Sequence, residues 1–74
     1  MWRFEVQGDI VSDYSRAYLL ESIIRMMDAV NTLRGSSVHY IEKGDTENGA
    51  KVAGLAERLS EIIKDATEIK DNTR

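Results

Sequence analysis

The stretch from about 13 to 34 constrains this chain most. At ~100° per residue, Leu19, Leu20, Ile23, Ile24, Met26, Met27, Val30 and Leu33 cover roughly half the circumference of a helix. A surface helix needs an apolar stripe only ~100° wide. A helix this apolar has to be covered on more than one side.

The chain has little with which to cover it. At 74 residues a single domain is expected, and chains below ~70–80 residues rarely build a sufficient core without staples. There is no cysteine and no proline. Disulfides, thiolate metal sites and cysteine nucleophiles are therefore excluded. Yet 42% of the residues are apolar. Self-association is expected to complete the core, most simply as a two-fold dimer, with Leu19, Ile23, Met26, Val30 and Leu33 as the oligomer interface.

The flanking segments read as strands. Residues 2–7 alternate, with Trp2, Phe4 and Val6 on one face and Arg3, Glu5 and Gln7 on the other, the pattern of a half-buried strand. Gly8-Asp9 breaks it, and Ser12 or Asp13 is a good N-cap. Gly35 reads as a helix stop, with Arg34 favourable at the negative end of the dipole. Residues 36–43, "SSVHYIEK", predict a second strand with Val38 and Tyr40 on one face and Ser37, His39 and Ile41 on the other. A second helix follows over about 47–70, with Val52, Leu55, Leu59, Ile62, Ile63, Ala66 and Ile69 as its apolar arc. The polar tail 71–74 is expected to fray. The expected fold class is α+β: a β-α-β-α unit of two short strands, parallel or antiparallel, and two long amphipathic helices. A two-stranded sheet is marginal alone, which also argues for an oligomer.

Charge narrows the partners. Ten Lys and Arg against thirteen Asp and Glu give a net charge of −3. The basic residues are scattered, whereas duplex binding draws its affinity from clustered phosphate neutralisation. A duplex nucleic-acid partner is not expected. No apolar run approaches the ~20 residues of a membrane span, and the first residues lack the charged-then-apolar order of a signal peptide. A cytoplasmic setting is expected.

"GDTENGAKV", residues 44–52, comes nearest to a chemical motif. A phosphate loop requires lysine directly after its second glycine, then a hydroxyl residue. Here Ala50 holds the lysine position, Lys51 comes one residue late and Val52 follows. Asp45 and Glu47 would also repel phosphate. The better reading is a turn in which Gly44 relaxes the backbone, Asp45 or Thr46 caps the helix and Glu47 sits in its first turn. His39 is the sole histidine, so a multi-histidine metal site cannot form within one chain. Ser37 and His39 stand two apart with no fixed carboxylate to orient the ring. No carboxylate sits in an apolar run that would tune it for acid–base work. Neither enzyme activity, a cofactor nor a metal is expected.

Three surfaces could bind something. Tyr14, Tyr18, Glu21 and Arg25 lie opposite the apolar arc and have the composition of an interface hot spot for a protein partner. Glu57, Glu61, Asp65 and Glu68 form an acidic face for a basic partner. Ser12, Arg16, Ser36, Ser37, His39, Tyr40 and Lys51 could gather around a small anionic ligand at a helix N-terminus, particularly between subunits. The leading functional expectation is a non-catalytic, homo-oligomeric regulator or inhibitor acting by protein–protein contact. Its small acidic composition is comparable to phage and mobile-element accessory proteins. Sequestration of an anionic or nucleotide-like ligand is the alternative, and a structural assembly unit the third.

Overall fold

A computed structural model describes residues 2–73, with side chains described over 14–73. It contains two helices, α1 (Trp2–Glu42) and α2 (Thr46–Asn72), which form one antiparallel hairpin. The molecule is a rod, with Cα extents of 64 × 14 × 12 Å.

The α+β expectation is overturned. Both expected strands, 2–7 and 36–43, lie inside α1, and no strand occurs among the described residues. The faces assigned to Trp2, Phe4 and Val6 fall outside the described side chains. At 36–43 the physical reason is visible. Leu19, Ile23, Met26, Val30, Leu33 and Ser37 follow one another at alternating spacings of four and three, and all are buried or half-buried. That is the seam of a helix packed along a second helix. Gly35 lies on the outer side of this seam, so its cost of ~1 kcal/mol in helix propensity is outweighed by continued packing through Ser37. The short alternation of Val38 and Tyr40 is compatible with either structure, and tertiary contact decides.

The helix stops at Gly44 instead. Asp45 N donates to Tyr40 O at 2.8 Å and Gly44 N to Ile41 O at 2.9 Å, while Gly44 has φ +88°. This is the paired 6→1 and 5→2 closure that a left-handed glycine permits. Asp45 then begins α2: its Oδ1 accepts from Asn48 N at 3.1 Å. Glu47 occupies the first turn, where its charge suits the positive end of the dipole. At the far end α2 runs to Asn72, and Thr73 N donates to Lys70 O at 3.3 Å. Helix therefore extends into the segment expected to fray; Arg74 lies outside the described residues.

On α2 the complementary seam is Gly49, Val52, Ala56, Leu59, Ile63, Ala66, Lys70 and Thr73, all buried or half-buried. Small residues dominate the contact. Among the described residues Ile23, Val30, Ala56 and Ala66 are the buried apolar side chains and Ser37 is the buried polar one. Near the turn the helices touch closely, and Ser37 Oγ donates to Gly49 O across the interface at 2.7 Å. Arg16 and Lys70 stand equally far along the chain from that pair, so the register sets them at the same level where the apolar seam ends; Arg16 is exposed and Lys70 Nζ pairs with Asp71 Oδ1 at 3.0 Å.

The glycines provide a test of this packing. A Cβ on Gly49 would lie 2.6 Å from Ile41 Cγ1 and 3.1 Å from the carbonyl oxygen of Ser37, whereas Gly35 and Gly54 have nothing within 4 Å. Replacing the two open helical glycines, Gly35→Ala and Gly54→Ala, should each raise stability by about 0.4–1 kcal/mol. Gly49→Ala should lower it by about 1–3 kcal/mol, as overpacking does. Chemical denaturation of the three variants reads the difference in sign. Stabilisation by all three would contradict the close approach at Gly49.

Candidate functional site

The hairpin has two long sides, each flanking the seam, and they differ. On one side a shallow groove is lined by Met27, Val30, Asn31 and Arg34 of α1 and Ser60 and Ile63 of α2. Helical periodicity adds Leu20, Ile24, Val38 and Ile41 to the α1 edge, and Ala53 and Thr67 to the α2 edge. Leu20, Ile24, Met27, Val38 and Ile41 are 46%, 50%, 53%, 54% and 50% exposed. This second apolar row, displaced by one residue from the packed seam, is what gave α1 its half-circumference arc. The facing edge of α2 is low, and Ala53, Ser60 and Thr67 are half-buried. Ser60 Oγ donates to Ala56 O at 3.0 Å and Thr67 Oγ1 to Ile63 O at 2.8 Å. Their hydroxyls are satisfied within their own helix, so this edge can be covered without orphaning a donor.

The opposite side reverses the relief. Leu55, Ile62 and Ile69 of α2 are exposed, beside Ser22, Ala29 and Ser36 of α1. Tyr18 and Arg25 stand just beyond that small-residue edge. Tyr14 and Tyr18 are mostly exposed, so the core makes little claim on them. Arg25 donates to Glu21 Oε1 from Nη2 at 3.1 Å and from Nε at 3.3 Å. The pair is solvent-exposed, and such helical pairs contribute only ~0.3–0.5 kcal/mol. Tyr18, Glu21 and Arg25 line one open hollow with Ala17 and Ser22, so three of the four residues expected to bind a partner share one surface with Tyr14 a turn away.

The residues expected at an oligomer interface lie along the seam of the hairpin itself. Leu19, Ile23, Met26, Val30 and Leu33 face α2 of the same chain, so the residues free to meet another molecule are their neighbours one position on. Sequence periodicity contained both rows but could not assign either to its partner. Glu57, Glu61, Asp65 and Glu68 are exposed on the outer part of α2.

The residues suggested for an anionic ligand do not all converge. Ser36, His39 and Tyr40 line an open hollow near the turn, together with Thr32, Gly35 and Lys43. Ser37 is instead buried in the seam. Lys51 is exposed and pairs with Glu47 at 3.3 Å. Arg16 lies some twenty residues back along α1, about 30 Å away at ~1.5 Å per residue. The Ser12 side chain is outside the described ones. Lys43, which is not among those residues, is a cation that lines the hollow.

No group of three His, Asp or Glu side chains gathers as a metal site among the described residues, and no described helix is long and apolar enough to cross a membrane. Comparison with protein-family models, with curated proteins and with solved structures finds no match. The turn at 44–49 makes a direct prediction. The N–H groups of Gly44, Asp45, Asn48 and Gly49 are all bonded within the turn and Lys51 is paired to Glu47, so of the 44–49 backbone donors only those of Thr46 and Glu47 remain, beside two carboxylates that repel phosphate. Calorimetric titration with ATP and magnesium should give no saturable heat; saturable binding lost in Lys51→Ala would overturn this assignment.

Proposed function

We propose that the chain is a non-catalytic helical binding module that pairs with a second copy of itself and contacts a further protein as a regulator or inhibitor. The carrying observation is the exposed apolar row Leu20, Ile24, Met27, Val38 and Ile41. A single hairpin buries too little to be comfortable alone: among the described residues no large side chain is fully buried, and small domains commonly depend on association for their core. Covering the row would bury apolar surface at ~25 cal/mol per Å².

Self-pairing through that row leaves the other side open. There Tyr18 and Arg25 sit beside Leu55, Ile62 and Ile69, which combines aromatic, guanidinium and aliphatic surface as partner-binding sites do. The cysteine-free composition suits a reducing cytoplasm. The alternative, a small anionic ligand, is supported by the hollow formed by Ser36, His39, Tyr40 and Lys43. It ranks second because Arg16 and Lys51 lie elsewhere.

Sedimentation at micromolar concentration should give a dimer mass. Met27→Asp should weaken association at least ~10-fold, since a buried unpaired carboxylate is costly, whereas Glu61→Lys on the exposed face of α2 should leave it unchanged. Tyr18→Ala should leave both dimer mass and melting temperature nearly unaltered, as surface substitutions stay within about 0.5 kcal/mol. A monomer for the unaltered chain, or equal effects of Met27→Asp and Glu61→Lys, would contradict the proposal.

A further inference from the structure

The relief of the side that carries Leu20, Met27 and Ile41 specifies how two copies fit. We infer that they pack face to face about a two-fold axis running parallel to the helices, so that α1 of each copy lies over α2 of the other and both turns lie at the same end. This rests on the self-pairing proposed above.

Shape is the first argument. The α1 edge is high, with Leu20, Met27 and Ile41, and the α2 edge is low, with Ala53, Ser60 and Thr67. Only two face-to-face two-fold arrangements keep the rods aligned. With the axis across the rods, the high edge of each copy meets the high edge of the other, and the low edges oppose each other over a gap. Protein interiors tolerate few such voids. With the axis along the rods, each high edge enters a low one. Residues at equal height then meet: Met27 and Ser60 line one groove within the chain, so Met27 of one copy lies over Ser60 of the other, and Leu20 over Thr67.

Polar groups fit the same arrangement. The Ser60 and Thr67 hydroxyls are already bonded to Ala56 O and Ile63 O, so covering them with Met27 and Leu20 orphans nothing. Arg34 and Glu57 make no ion pair among the described residues. In this register Arg34 of one copy crosses near Ala53 of the other, one turn from Glu57, within reach of a guanidinium fork.

Area is the third argument. The 27 residues of α2 give an overlap about 40 Å long at ~1.5 Å per residue. Two helices, each ~10 Å across, make that face about 20 Å wide. The resulting ~800 Å² per partner is the size of a standard stable interface.

The absence of cysteine in the chain permits clean site-specific labelling. A spin label on Thr46→Cys, or separately on Lys43→Cys, sits at the turn on an exposed position. Dipolar distance measurement on the full chain should give about 15–30 Å between copies for both labels, given two adjacent helix pairs ~10 Å across. A dimer with both distances beyond about 40 Å, the overlap length set by ~1.5 Å per residue, would overturn the parallel axis while keeping self-pairing. No dipolar signal, with a monomer mass by sedimentation, would overturn both.

Discussion

The hairpin is organised around the contact between Ser37 and Gly49. The Ser37 hydroxyl donates to the Gly49 carbonyl at 2.7 Å, and Gly49 has no side chain to hold the helices apart. A helix carbonyl has a second lone pair, so this bond adds to the ladder of α2 without breaking it. The contact sits close to the turn, where a small displacement would propagate along two long helices. It sets the register in which Val30 meets the level of Ala56 and Ile23 that of Ile63. With the seam assigned in this way, the apolar residues outside it become surfaces.

Those surfaces follow from the one-residue offset between two rows on α1. Leu19, Ile23, Met26, Val30 and Leu33 are occupied by α2, while Leu20, Ile24 and Met27 are not. Two adjacent rows at heptad spacing exceed what one partner helix can cover. The hydroxyl side chains bordering the free row are internally bonded, which lets a polar sequence offer a surface that behaves as apolar. The side bearing Tyr18 and Arg25 differs in kind, because its aromatic and charged groups remain exposed while its aliphatic residues come from the other helix.

Much of this was legible in the sequence. The excess apolar arc over 13–34, the turn chemistry of Gly44, Asp45 and Glu47, and the second helix could all be read from residue type and spacing. The strands could not be judged that way. Val38 and Tyr40 alternate convincingly, and Gly35 resembles a stop, but the preference of a short segment is weaker than continuous packing against the 27 residues of α2. As a sequence, Ser37 fits a strand face beside His39 or the edge of an anion pocket, and only its opposition to Gly49 makes it a core residue. Similarly, Leu20, Ile24 and Met27 belong to the same apolar arc as Leu19, Ile23 and Met26, and periodicity cannot say which of two neighbouring rows the chain covers itself.

Residue-specific carbon chemical shifts across 36–42, together with proton contacts to Gly49, test the central claim most directly. The account requires uninterrupted helical shifts through Gly35 and on to Glu42, with cross-peaks joining Ser37 and Ile41 to Gly49. Extended-type shifts over 36–43, or a helix that ends at Arg34 with no contact between Ser37 and Gly49, would contradict it.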